Sequence, residues 1–195
     1  MNQKIPNILT IGRIIVVPIF VITFFLPGMY GDLIPFFLFV GASFTDFLDG
    51  LLARLLKAES KLGELLDPIA DKILVCAALV LLVMNGIIKN YEVIAAIIIL
   101  TREILISSLR EFLAKISIPM PVTNLAKFKT FLQMFSIAIL LTGDVGNKLI
   151  DFQDYNAQTI GIILLWVSAF LTLYTGYGYL ARGLDHAINE DNKKN

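Results

Sequence analysis

The sequence predicts an all-α fold, that of a polytopic membrane protein with six transmembrane helices. Three observations support this prediction. Hydrophobic residues make up 57% of the 195-residue chain, whereas a soluble domain contains roughly 45–50%. Six apolar stretches of about 20 residues follow one another, and each is long enough to cross a bilayer. The basic residues cluster at alternate ends of these stretches, as expected when every second loop lies in the cytoplasm.

The predicted spans cover residues 8–26, 33–56, 67–88, 91–115, 122–141 and 157–181. Turn-forming residues separate most of them: Pro27-Gly28 with Gly31-Asp32, Asn85-Gly86 with Lys89-Asn90, Pro119 with Pro121, and Gly143-Asp144 with Gly146-Asn147. The first span is too long for a removable signal peptide and lacks a small-residue cleavage site. Pro68 suits the first turn of a helix, so the third helix is predicted to begin near Asp67, which could then cap it.

The distribution of charge predicts the orientation of the chain. Only Lys89 and Lys148 fall on one set of helix ends, and the other fourteen Lys and Arg residues fall on the opposite set. This asymmetry predicts that both termini are cytoplasmic. Because the chain is too short for a second folded unit beside six spans, residues 1–195 are predicted to form one domain. Its polar termini are residues 1–7 and 187–195, and fraying is expected from Asn189 onward.

Four aspartates stand inside this membrane-like chain: Asp46, Asp49, Asp67 and Asp71. A carboxylate at membrane depth is costly unless a partner offsets its desolvation. Spacings of three and four residues place each pair on one face of a helix, and two such faces that meet suit divalent cations. Cys76 and His186 are the only residues of their types, which leaves oxygen ligands. Magnesium or manganese fits such a site best, although zinc also accepts carboxylates.

Small and basic residues surround the first pair of acids. Gly50 and Ala53 continue the helical stripe of the two aspartates, and small side chains let a bulky group approach the backbone. Arg54 is adjacent and could bind phosphate through its planar guanidinium. The alternative is an ordinary solvated helix end, in which Lys57, Lys61 and Arg54 pair with the acids. Because the flanking loop belongs to the basic set of helix ends, the site is predicted to open on the cytoplasm.

The second pair of acids continues the pattern and indicates a reaction type. Gly63, Asp67 and Asp71 recur every four residues on one stripe. Facing carboxylates suit two hard cations that bridge phosphate oxygens and assist displacement at phosphorus. A carboxylate not fully committed to metal could take the proton of an attacking hydroxyl. Asp71, at the far end of the stripe, is the candidate base.

The two stripes together resemble a known family signature. The run Asp46-x-x-Asp49-Gly50-x-x-Ala53-Arg54, followed by Gly63-x-x-x-Asp67-x-x-x-Asp71, is similar to the full signature of the CDP-alcohol phosphotransferases. The resemblance covers the whole chain and implies six spans with a cytoplasm-facing active-site cavity. It implies that the four aspartates hold two divalent cations, Mg²⁺ or Mn²⁺, and that Asp71 is the base. The implied CDP-binding residues are Asp46, Asp49, Gly50, Ala53, Arg54 and Gly63.

A basic cluster bears on the acceptor alcohol. Arg110 and Lys127 are predicted to bind a phosphate carried by the acceptor, with Thr10 and Arg13 near the same cavity. Lys115 and Lys129 suit this role and lipid head-group contact equally. Arg102-Glu103 is interpreted as a structural pair.

Three segments resemble the branch of the family that joins CDP-diacylglycerol to sn-glycerol 3-phosphate. They are residues 7–13, residues 102–111, and residues 127–130 with Gln133-Met134. The expected products are phosphatidylglycerol phosphate and CMP, made in the bacterial cytoplasmic membrane. Inositol phosphate, serine or phosphatidylglycerol are the alternative acceptors.

A different class of protein, a small cation transporter, would also keep acids within its spans. It gives no particular role to Gly50, Ala53 and Gly63. Contact with membrane lipid is expected, and no nucleic-acid partner is. A homodimer is predicted from the family resemblance. Small residues on the third and fourth spans give it weak support, since they permit close helix approach: Ala77, Ala78, Ala95 and Ala96.

Overall fold

The computed structural model describes the backbone of residues 4–56, 61–115, 123–152 and 155–194. Side chains are described within residues 12–45, 69–114, 123–150 and 156–181, except at positions 13 and 71. The described elements are α1 (Lys4–Thr23), α2 (Met29–Leu56), α3 (Lys61–Met84), α4 (Glu92–Lys115), α5 (Asn124–Leu141), α6 (Gly143–Leu149), β1 (Asp151–Phe152), β2 (Tyr155–Asn156) and α7 (Ala157–Lys194). Apart from the two-residue antiparallel ladder of β1 and β2, every element is a helix. The predicted helical class is therefore confirmed.

Each of the six predicted spans corresponds to one long helix, but several boundaries differ. Helix α3 begins at Lys61 rather than near Asp67, and α7 continues through the predicted polar tail to Lys194. Gly31-Asp32 lies inside α2, and residues 143–149 form the short helix α6 instead of an open turn.

Helix α3 ends in a Schellman motif centred on Gly86. This residue has φ +67°, a left-handed conformation that costs glycine little because it has no Cβ. The Gly86 N–H donates to the Val83 carbonyl at 3.0 Å, and the Ile87 N–H donates to the Leu82 carbonyl at 3.0 Å. These two bonds satisfy carbonyls that a helix end otherwise leaves unpaired. The turn predicted at Asn85-Gly86 is therefore confirmed, and its geometry explains why glycine stands there.

The chain divides into two compact units. Unit 1 comprises residues 1–89 and 134–162, and unit 2 comprises residues 90–133 and 163–195. In unit 1, α1 contacts both α2 and α3, and α2 contacts α3. Phe20 of α1 and Phe39 of α2 are fully buried there, with ring centroids 6.3 Å apart. In unit 2, the Arg102 guanidinium on α4 donates a hydrogen bond of 3.1 Å to the Thr175 hydroxyl on α7.

The surface of the helices fits a membrane protein. Within the described residues, two helices are long and apolar enough to cross a bilayer, Asn124–Leu141 and Ala157–Ala181, and shorter apolar helices cover Ile14–Thr23, Met29–Thr45 and Lys72–Met84. Large aromatic side chains are exposed: Phe37 is 65% and Tyr177 is 77% accessible. Soluble monomers seldom expose so much apolar surface. The apolar helices and their exposed aromatic residues therefore indicate a membrane protein, while the count of six spans stays a prediction.

Helix α6 is held by a carboxylate distant in sequence. Asp32, in the first turn of α2, accepts hydrogen bonds from the backbone N–H groups of Asp144 at 3.1 Å and Val145 at 3.4 Å. Asp32 precedes residues 33–56, the predicted second span, and is therefore predicted to lie outside the membrane-spanning segment. Partial burial raises the pKa of the Asp32 carboxyl above its usual 3.8, and the nearby Asp144 charge raises it further, against the lowering effect of the two hydrogen bonds and Lys148.

Replacing Asp32 by Asn should therefore raise the unfolding temperature of the detergent-solubilised protein at pH 7. The amide oxygen still accepts the two N–H groups, whereas the desolvated charge beside Asp144 is gone. A raised pKa means that the folded state binds the proton more tightly. The stability gained from this protonation is full below pH 3.8 and is lost as the pH rises through the folded-state pKa. The advantage of Asn over Asp should accordingly shrink as the pH falls toward 3.8. Asp32→Ala, which removes the acceptor, should be destabilised at pH 7; an equal loss in Asp32→Asn would contradict the interpretation.

Candidate active site

The acidic signature lies on two contacting helices of unit 1. Helix α2 runs unbroken through positions 46–54, and α3 runs unbroken through positions 63–71. Both helices contact each other and α1. The side chains of Asp46, Asp49, Asp67 and Asp71 lie outside the described residues, as do those of Gly50, Ala53, Arg54 and Gly63. The helical backbone that the signature requires is therefore present on neighbouring helices.

The period of each helix relates the acidic positions to the buried core. On α2, positions 46 and 49 are four and seven residues beyond Ala42, which is buried with Phe39. On α3, positions 67 and 71 precede Leu74 by seven and three residues, and Leu74 is fully buried. Residues three, four and seven apart share one helix face. The acidic positions thus continue the stripes by which α2 and α3 pack into unit 1.

The start of α3 changes the interpretation of Asp67. Because the helix begins at Lys61, Asp67 is its seventh residue and Pro68 its eighth. An N-cap residue stands immediately before the first helical turn, so the predicted capping role of Asp67 is wrong. Pro68 in the interior also leaves the Glu64 carbonyl without the usual N–H donor four residues later.

The residues predicted to bind the acceptor phosphate occupy both units. Arg110 on α4 and Lys127 on α5 have exposed side chains and both belong to unit 2. Thr10 and Arg13 lie on α1, with side chains outside the described residues, and the Lys115 side chain is also outside them. Unit 2 therefore presents two accessible cations, one on each of two helices that follow one another in the sequence.

Lys129 differs from its neighbour Lys127 because its side chain is only 2% exposed. Its ammonium group forms an ion pair with the Glu103 carboxylate on α4. The Arg102 guanidinium lies 3.5 Å from the same carboxylate. Arg102 and Glu103, interpreted from the sequence as a pair, thus lie within ion-pair distance, and Lys129 joins them. Since Lys127 and Lys129 are only two residues apart, sequence spacing alone did not indicate which one faces inward.

A polar cavity in unit 1 was not predicted from the sequence. Two adjoining hollows, of about 250 and 460 Å³, share Asp32, Asn85 and Asp144 in their walls. The connections that follow α1, α3 and α5 meet there, on the side to which charge asymmetry assigns Lys89 and Lys148. Among the residues whose side chains are described, no three His, Cys, Asp or Glu groups are close enough to hold a metal ion. The signature aspartates are not among those residues.

Comparison with known proteins defines the class. A family model described as CDP-alcohol phosphatidyltransferase matches residues 3–174, and the chain belongs to this family. The resemblance of the aspartate signature is therefore confirmed.

Relatives extend the match to nearly the full chain. A protein of Rickettsia bellii is 42% identical over 92% of this chain and 94% of its own length. One from Rickettsia prowazekii is 43% identical over the same shares, and one from Cereibacter sphaeroides is 35% identical over 97% of this chain and all of its own. Each relative is named CDP-diacylglycerol–glycerol-3-phosphate 3-phosphatidyltransferase.

Proposed function

We propose that this protein transfers the phosphatidyl group of CDP-diacylglycerol to sn-glycerol 3-phosphate, which makes it a phosphatidylglycerophosphate synthase. The observation that carries the proposal is the complete acidic signature on two contacting helices of a chain that belongs to the CDP-alcohol phosphatidyltransferase family. Relatives that bear the name of this reaction match the chain almost from end to end. Apolar helices and exposed aromatic residues suit an enzyme whose donor is a membrane lipid.

The four aspartates would hold two divalent cations, since the family is generally dependent on divalent metal. The fit rests on the donor set: carboxylate oxygens on two contacting helices, in register with the buried stripes of Ala42 and Leu74. Hard oxygen ligands favour Mg²⁺ or Mn²⁺, while Zn²⁺ is also compatible with carboxylates. When bound, such cations neutralise the diphosphate of the donor and stabilise the departing CMP.

Residues of the chain would bind the CDP group and remove the proton of the acceptor hydroxyl. Asp46, Asp49, Gly50, Ala53, Arg54 and Gly63 would border the CDP group. Asp71 would take the proton from a terminal hydroxyl of glycerol 3-phosphate as its oxygen forms a bond to the β-phosphorus. The bond from that phosphorus to the oxygen bridging the two phosphates breaks, and CMP leaves with this oxygen. A carboxylate can serve as base because the acceptor hydroxyl loses its proton only as the new bond forms.

The acceptor phosphate would be bound by Arg110 and Lys127, with Thr10 and Arg13 near the same cavity. A phosphate dianion pairs well with an arginine fork and a lysine ammonium. This role explains why two cations of unit 2 remain exposed while the neighbouring Lys129 is buried in an ion pair.

The placement in the cell follows from the charge asymmetry. With six spans, the basic helix ends would face the cytoplasm, together with both termini and the active-site cavity. This is the side on which a soluble acceptor such as glycerol 3-phosphate would be available. The whole chain would act as one transmembrane domain and assemble as a homodimer.

The direct test supplies purified protein, CDP-diacylglycerol and one acceptor at a time, and measures release of CMP. We expect release with glycerol 3-phosphate and background release with inositol phosphate, serine or phosphatidylglycerol. Release with inositol phosphate but not with glycerol 3-phosphate would overturn the assignment of the acceptor. Ion flux in liposomes without CMP release would point instead to a transporter.

In the same assay, Arg110→Gln should raise the KM for glycerol 3-phosphate about tenfold, the effect of about 1.4 kcal/mol of lost binding energy. The KM for CDP-diacylglycerol should not change. Lys148→Gln is the matched control, because Lys148 is an exposed cation of unit 1 on the opposite set of helix ends, and it should behave as the wild type.

A further inference from the structure

A buried polar cluster joins the three helices of unit 2. Its linked members are Arg102 and Glu103 on α4, Lys129 on α5 and Thr175 on α7. Buried Gln133 and Thr172 lie one helical turn from Lys129 and Thr175 on the same helices. One oxygen of the Glu103 carboxylate pairs with Lys129 and lies 3.5 Å from Arg102, and the other end of the same guanidinium donates to Thr175. A single chain of polar contacts therefore runs from α5 through α4 to α7.

This cluster is more polar than packing requires. It places two cations around one carboxylate, and Lys129 is 2% exposed. Three buried atoms in and beside it have no hydrogen-bond partner among the residues that the structure describes: Arg102 Nε, Gln133 Oε1 and Thr172 Oγ1. Buried ion pairs contribute little net stability, since desolvation offsets most of the attraction. Ionisable groups inside a membrane protein are more often functional than structural.

The position of the ion pair relative to Arg110 and Lys127 suggests what the function is. Glu103 and Arg110 are seven residues apart on α4, which places them two turns apart on the same face. Lys129 follows Lys127 by two residues on α5, so the two lysine side chains leave the helix on opposite sides, Lys129 buried and Lys127 exposed. Each end of the Glu103–Lys129 pair thus lies on the same helix as one of the two exposed cations. An ion pair between α4 and α5 restrains the position of one helix against the other, and therefore also restrains the positions of the cations that the two helices carry.

We propose that Glu103, through Lys129 and Arg102, is a positioning residue that sets the spacing of Arg110 and Lys127 for the phosphate of the acceptor. This inference rests on the proposed function. Glu103 does not touch the acceptor itself. It binds the ammonium of α5 and the guanidinium that reaches α7, so that two phosphate-binding cations on separate helices meet one ligand at a fixed distance.

Gly176 on α7 leaves room for the Arg102 side chain, which packs against it. A Cβ at position 176 would lie 3.3 Å from Arg102 Cγ and 3.4 Å from its Nε, closer than side chains normally pack. Gly178, two residues further along α7, faces open space. Alanine at these two positions therefore gives a matched pair of variants: one presses on Arg102 without changing any charge, and the other does not.

The main experiment measures KM for both substrates, kcat and the unfolding temperature for Glu103→Gln, Lys129→Gln and the double variant. Glu103→Gln should raise the KM for glycerol 3-phosphate about tenfold, with the KM for CDP-diacylglycerol unchanged. Lys129→Gln should act in the same direction. The double variant should be no worse than the more impaired single variant, because the two groups act as one unit.

A merely structural pair predicts a different result. The unfolding temperature and the active fraction would fall, so that the apparent kcat decreases while both KM values stay as in the wild type. That result, or strictly additive effects in the double variant, would overturn the inference. If either charge variant fails to fold, Gly176→Ala decides: it should raise the KM for glycerol 3-phosphate, and Gly178→Ala should not. Equal KM values in these two variants would also overturn it.

The wild-type assay separates failure of this inference from failure of the proposed function. No CMP release with glycerol 3-phosphate in the wild type would refute the function itself. Normal release in the wild type, together with an unchanged KM in Glu103→Gln, would refute only the positioning role.

Discussion

Replacing Asp71 by Asn should lower kcat by about 10²–10⁴-fold, the usual contribution of a general base. The amide keeps the size and hydrogen-bonding capacity of the side chain but cannot accept the proton of the acceptor hydroxyl. CMP release under saturating substrates is the measurement, and an unchanged unfolding temperature shows that folding is intact. Asp32→Asn is the matched control: it makes the same chemical change in a carboxylate that binds only the backbone of α6, and it should retain full activity.

The same substitution at Asp49 should also cause a large loss of kcat, but for a different reason, since Asp49 is assigned to the metal site and to the border of the CDP group and not to proton transfer. Raising the concentration of Mg²⁺ should partly restore activity to Asp49→Asn. It should restore less to Asp71→Asn, where the base is missing as well. Near-normal turnover in either variant would show that its assigned role is wrong.

Removal of divalent metal should abolish CMP release altogether. In the proposed site, four carboxylates without a bound cation would form an unfavourable concentration of negative charge and would repel the diphosphate of the donor. Treatment with a chelator should therefore reduce activity to background, and added Mg²⁺ or Mn²⁺ should restore it. A circular dichroism spectrum recorded before and after chelation controls for loss of helical structure. Full activity after exhaustive chelation would contradict the metal assignment.

Apolar length and turn residues predicted the long helices well, because a bilayer imposes both the length and the internal hydrogen bonding of a span. The start of α3 was predicted six residues too late. Pro68 was interpreted as a first-turn proline, whereas the helix tolerates it in the interior. Helix α6 was missed because it is only seven residues long, and its first N–H groups are bound by Asp32, a partner 112 residues away in the sequence. Local patterns carry no information about such a contact.

The acidic signature was easier to recognise in the sequence than the ion pair of Lys129 with Glu103. The acidic signature has fixed spacings, and each half requires only one helix. The role of Lys129 could not be derived in this way, since it depends on the rotation of α5 relative to α4. One signal was available: Lys129 and Gln133 are four residues apart, and two polar residues on one face of a span indicate a polar partner. Glu103 is that partner for Lys129.

The bond between Asp32 and α6 has a consequence for biosynthesis. Ribosomes deliver the chain from its amino terminus, so α2 emerges before the N–H groups of Asp144 and Val145 have been made. Until residues 144 and 145 are translated, about three quarters of the way along the chain, the Asp32 carboxylate lacks these two N–H partners. Attachment of α6 is therefore among the late steps of assembly, and a nascent chain halted before residue 144 would carry its first helices without this closing contact.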